Sequence, residues 1–128
     1  MGHHLRAMFG SKMVVLGFGF DKGQIRALKM SGGKFNGGPV PLDVPAAAAG
    51  SVESVLRQAG PRYILDFRSI TPTSPLGVWL GESNAFRQPG AAWDPDQPGM
   101  FFQPLALSKM FDGIIFIDHT TPSRPLKR

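Results

Sequence analysis

The sequence contains no cysteine. Disulfide staples and thiolate metal sites are thereby excluded, and the redox compartment leaves no mark on the chain. No apolar run approaches the roughly 18 residues that a membrane-spanning helix needs. The first residues, Met1-Gly2-His3-His4, lack the apolar core of a secretory signal. The cytoplasm is therefore the expected compartment. Negative charge is sparse: 9 Asp+Glu stand against 14 Lys+Arg, a formal net charge of +5. Such a balance suits an anionic partner, but the basic residues are scattered. The one short run is Lys127-Arg128, with Arg124 nearby. No basic helix face and no aromatic RNA-binding motif accompanies it, so nucleic acid is not an expected partner.

Glycine and proline, in contrast, are plentiful. Sixteen Gly and 12 Pro in 128 residues predict many turns and few long helices. Hydrophobic residues make up 42% of the chain, which excludes a disordered polymer. The length suits one unit over 1–128, and a chain of this size buries roughly two-thirds of its unfolded surface.

Leu5, Met8 and Phe9 share one face at helical spacing, and Gly10 suits a stop, so 1–10 reads as a short helix. The helix is already amphipathic at Met1 and has no N-cap before it, which suggests a piece of something longer. The apolar run Met13-Val14-Val15-Leu16 opens a strand over 13–20 that is expected to be buried on both faces. "QIRALKM", 24–30, reads as a second strand with one exposed face. Asp21-Lys22-Gly23 would be the turn between them, making 13–30 a hairpin. Pro39, Pro41 and Pro45 forbid a central strand over 31–50, leaving a loop with a short edge strand near Val40–Val44. Ser51 caps a helix to about Ala59, with Glu53 in its first turn and Gly60-Pro61 as its stop. "RYILDF", 62–67, is the second core strand. Ser74-Pro75 opens another helix. Residues 84–104 read as irregular, with a turn at 93–96 and a short strand in "GMFFQPL". "FDGIIFI", 111–117, is the third core strand, and the tail after it leaves the domain. Together these predict an α/β fold: a partial layered sheet of about three core strands, with short helices and an antiparallel hairpin.

"VVLGFGFDKG", 14–23, looks at first like a dinucleotide turn. Its spacing is G-x-G-x-x-x-G, one residue longer than the fingerprint, and residues 24–30 beyond it read as a strand rather than a helix. Without a helix N-terminus there is nothing to hold a pyrophosphate, so no nucleotide or other cofactor is expected. The glycines then serve a tight strand end and a close backbone approach.

Other chemistry is thin. His3 and His4 are consecutive and cannot form an i, i+4 metal pair, so no metal site is expected. His119 beside Asp118 suggests a general base held by a carboxylate. Neighbours on a strand point to opposite faces, however, which favours a surface histidine. No G-x-S-x-G motif is present for a serine nucleophile. Asp66 and Asp118 each stand at a strand end where a site could form, but Asp66 with Arg68 reads better as a structural ion pair. No catalytic residue is assigned.

The order of segments carries more than any single residue. "MGHHLRAMFGSKMVVLGFGFDKGQIRA", "SVESVLRQAG", "YILDFRS", "VWLGE", "AAWDPDQP" and "FDGIIFIDHTTPSRPL" succeed one another along the chain. The set resembles the erythromycin esterase family, from its Met-Gly-x-x-Leu-Arg helix and Gly-Phe-x-Phe-x-x-Gly segment to its Thr-Thr-Pro-x-Arg-Pro-Leu ending. The resemblance implies the C-terminal third of a hydrolase that opens macrolide lactones or related esters with an activated water and no required metal. It also implies that the family's catalytic His and Glu motifs lie upstream of the matching segments. His3 and His4 do not match those motifs. The expectation is thus a truncated product or fragment, inactive alone, that meets a macrolide or other ester only with the missing N-terminal part. A module that complements a separately encoded catalytic half, or a non-functional remnant that self-associates, are the alternatives. If the family site lies beside this segment, Phe18, Phe20 and Asp21 are the candidates for its wall.

Overall fold

The computed structural model describes residues 2–126. Met1, the Lys127-Arg128 pair and the side chain of His3 lie outside the described residues. The elements in order are α1 (Gly2–Phe9), β1 (Leu16–Ser31), β2 (Lys34–Val44), α2 (Val52–Leu56), β3 (Arg62–Asp66), α3 (Pro75–Gly81), β4 (Asn84–Arg87), β5 (Ala92–Trp93), β6 (Phe102–Leu105), α4 (Leu107–Met110) and β7 (Gly113–Thr120). Four strands lie in the order β2-β1-β7-β3, and β5 joins the far end of β1. β1 runs parallel to β7, while β2 and β3 run antiparallel to their neighbours. β4 and β6 form a separate antiparallel pair. The mixed α/β class read from the sequence is the class observed.

Several segments differ from the sequence reading. The first strand begins at Leu16; residues 13–15 precede the ladder, although the Val15 carbonyl already accepts from the Asp112 amide at 2.7 Å. Asp21-Lys22-Gly23 is not a turn, because β1 runs straight through it for 16 residues. β7 explains why: its parallel register holds Lys22 opposite His119 and Gly23 opposite Thr120, so the backbone there is fixed as strand. The hairpin lies further on, between β1 and β2. Its turn is Gly32-Gly33, both with positive φ (56° and 76°), the geometry that matches the twist of paired strands. β2 replaces most of the expected loop. Pro39 and Pro41 are tolerated because β2 is an edge strand, paired on one side only. Within the expected irregular stretch, β4 and β5 form as well as β6.

Other expectations hold. Ser51 accepts from the Ser54 amide at 3.3 Å, and Ser74 accepts from the Gly77 amide at 3.1 Å with Pro75 behind it. Such a cap contributes about 1 kcal/mol. β3 and β7 form, but β3 is an edge strand and not a central one, and β7 runs on to Thr120, through the first residues of the tail expected to leave the domain.

The core has two parts. The larger packs Val52 and Leu56 of α2, Leu80 of α3, Phe86 of β4 and Leu107 of α4 against Ile114 and Phe116 of β7. The smaller gathers Phe20, Ala27, Leu42, Val44 and Trp93 around the far half of β1. Each fully buried side chain of this kind adds about 1.5–3 kcal/mol of transfer energy. Gly17 belongs to the first part. The ring of Phe111 lies 3.0 Å from where a Cβ would stand, so a side chain there would displace it. This close approach explains the glycine.

Candidate functional site

An open hollow of about 590 Å³ lies at the carboxyl end of β7, where that strand stops and β1 continues. Lys22 and Gln24 of β1, Asp43 of β2, Pro45, His119 and Thr120 are among its lining residues. The parallel β1–β7 pair makes this the end of the sheet where α/β proteins place ligands. Gln24 Nε2 donates to Asp43 Oδ1 at 2.8 Å, which fixes the carboxylate on one wall. Thr120 Oγ1 donates to the Gln24 carbonyl at 3.2 Å and closes the β7 side. The hollow thus offers a cation, an imidazole and a positioned carboxylate around a largely apolar floor. Such a set suits hydrogen bonding to an oxygen-rich organic molecule.

A buried charged spine holds one wall of this hollow. Arg87, 4% exposed, donates from Nη1 to the Pro45 carbonyl at 2.9 Å and from Nη2 to the carbonyls of Phe20 (2.8 Å) and Asp21. Its guanidinium lies 5.0 Å from the Phe20 ring centroid and 5.6 Å from that of Phe102. Glu53 Oε1 accepts from the Arg87 amide at 2.7 Å. Asp21 Oδ1 accepts from the Ala47 amide at 3.0 Å, and Arg57 reaches the same carboxylate at 3.4 Å. Segment 45–47 is therefore pinned from below by Arg87 and Asp21. Burial pushes the Glu53 carboxyl above its ordinary range, partly offset by its hydrogen bond from the Arg87 amide and the charge of Arg87. Burial pushes the Arg87 guanidinium down, opposed by the charges of Glu53 and Asp21. Glu53 Oε2 and Arg87 Nε are buried with no hydrogen-bond partner among the described residues.

The sequence candidates fall in different places. Phe18 projects half-exposed from the sheet, whereas Phe20 and Asp21 are buried. None of the three lines the hollow; their neighbour Lys22 does. His119 lies at its rim and also borders a smaller hollow of about 270 Å³ with Asp118 and Arg62. Asp66 and Asp118 lie at opposite ends of the sheet, because β3 runs antiparallel to β7 and Asp66 faces Gly113. Asp66 instead grips Arg68 at 2.7 Å. That side-chain bond, with the Arg68 amide, holds its carboxyl down at about 2. This is the structural ion pair expected from the sequence. Among the described residues, no group of three His, Asp or Glu side chains converges on a metal position. Glu53, expected as a helix-dipole partner, and Arg87, marked by no sequence motif, meet across 34 positions. No local pattern signals that contact.

The family model of erythromycin esterase matches residues 1–120 of the chain. Curated protein sequences hold no match to it. Two solved structures share its fold. One is a Bacillus cereus protein, 24% identical with a TM-score of 0.72, where the match covers 92% of this chain and 27% of that one. The other is described as a succinoglycan biosynthesis protein, 16% identical with a TM-score of 0.74, where the match covers 92% of this chain and 26% of the other. At these identities the likeness is one of fold. This chain spans about a quarter of the length of either structure.

Proposed function

Because the chain belongs to the erythromycin esterase family, we propose that it is the C-terminal portion of an ester hydrolase that opens macrolide lactones or related esters. The observation that carries this reading is the family match over 1–120 in a chain a quarter as long as its solved relatives. In such a reaction a water oxygen adds to the ester carbonyl carbon while a base takes its proton. The alkoxide then leaves and is protonated. A base must stand within hydrogen-bond reach of that water. In this reading the remainder of the domain supplies the base. The hollow beside Lys22, Asp43 and His119 gives the substrate a wall, and Arg87 and Asp21 act as positioning residues behind it.

The test is direct. The purified chain is incubated with a macrolide and, separately, with a simple aryl ester, and ring opening or phenol release is measured. No turnover above buffer is expected. Turnover at an enzymatic rate, about 1 per second or faster, would overturn the assignment of the base to another segment.

A further inference from the structure

The outer face of the sheet is as apolar as the inner one, yet little covers it. Paired residues on neighbouring strands share a face, so Phe18 of β1, Ile115 of β7 and Ile64 of β3 form one continuous row. Phe18 is 51% exposed and Ile64 65%. Leu16 stands beside this row on β1 and is also exposed; Ile117 stands beside it on β7, partly covered. Parallel strand pairs are almost always covered on both faces, usually by helices. Here the β1–β7 pair is covered on its inner face, while on the outer face only the Phe20 end of β1 is buried. α1 adds to the bare surface: its stripe of Leu5, Met8 and Phe9 is exposed, and Arg6 anchors the helix at the amino end of β7 by a 2.9 Å pair with Asp112. Large contiguous apolar patches of this kind mark interaction sites.

We propose that this outer face is the docking surface for the remainder of an erythromycin-esterase-family domain, which lays the apolar side of an amphipathic helix along the Phe18–Ile115–Ile64 row. The proposal rests on the family reading above and adds the surface to it. Size identifies the occupant. Both solved relatives with this fold carry roughly three-quarters of their length beyond the matched part, enough for a whole covering layer. Exposed Arg62 borders the row, next to Ile117. The docking helix accordingly carries Asp or Glu along that margin.

The experiment co-expresses the full chain with the Bacillus cereus protein lacking its matching part, so that each can fold against the other, and purifies on a tag carried by the full chain. Light scattering after size exclusion reads the mass, and hydroxyl-radical footprinting reads Phe18 and Ile64. The expected result is a one-to-one complex with both side chains protected. Phe18→Lys and Ile64→Lys should each weaken it by about tenfold or more, whereas Val40→Lys on exposed β2 should not. Thermal unfolding of each variant alone checks that it folds, and two sites keep the test valid if one variant fails. No complex, or a complex that leaves Phe18 and Ile64 unprotected, overturns the proposal. So does a wild-type homodimer that Phe18→Lys turns into a monomer, since a second copy would then own the face. A complex that forms but opens no ester sinks the hydrolase reading and leaves the docking surface standing.

Discussion

The two faces of the β1–β7–β3 sheet are built from alternate residues of the same strands, and they differ in what lies on them. On the inner face Ile114 and Phe116 are wholly buried beneath α2, α3 and α4. On the outer face Phe18 and Ile64 stand half in solvent. Their side chains are equally apolar. Hydrophobic pattern therefore identifies what wants to be covered, and only the topology says which side finds cover within this chain. The inner face has it because 51–56, 75–81 and 107–110 all return to the same side.

Substitution at matched depth should break the symmetry between the faces. Phe116→Ala empties a packed site and should cost about 3–5 kcal/mol, read as a shift in the urea midpoint. A loss below about 1 kcal/mol would mean the inner face is not the core. Next in size is Glu53→Ala, which strips the Arg87 amide of its acceptor and the guanidinium of a counter-charge. Leaving that buried amide unpaired should cost about 1–3 kcal/mol. An unchanged midpoint would show the charged spine to be dispensable. On the outer face, Phe18→Ala in the isolated chain should change stability by no more than about 0.5 kcal/mol. A large loss there would show that Phe18 is already covered.

The smallest effect concerns Asp66, on the edge strand of that sheet. Its carboxyl is held at about 2, below the ordinary 3.8. A depressed carboxylate contributes stability above its unfolded value and loses it as pH falls through the folded one. Asp66→Asn should therefore lower the melting temperature slightly at neutral pH, and the gap from the parent should close between pH 3.8 and about 2. The pair is solvent-exposed, so the gap should also shrink in high salt. A gap independent of pH would assign the effect to something other than the carboxylate.

Much of the fold was legible because its signals are local. Ser51 and Ser74 announce their helices by capping chemistry, and the apolar run 113–117 can hardly be anything but a buried strand. What failed was punctuation. Asp21-Lys22-Gly23 has the composition of a turn, and only β7, arriving from the far end of the chain, holds it extended. The prolines of β2 argued against a strand and in fact mark its edge. The spine under the hollow was illegible for the same reason as β1. Arg87 meets Asp21 66 positions away and Glu53 34 positions away, and no window of sequence contains both ends.

The parallel pairing of β1 with β7 also sets the order of events in folding. The carboxylate of Asp112 accepts from the Val15 amide at 2.7 Å, across 97 positions of chain. Until β7 has been synthesised, β1 has only β2 and the short β5 to pair with, both along its far half, and its Gly17–Phe20 half has no neighbour. Closing so long a loop is entropically costly, and topologies dominated by such contacts fold slowly. During that interval the Leu16–Phe20 edge is open to any other chain, so yield should depend on how quickly the last strand arrives.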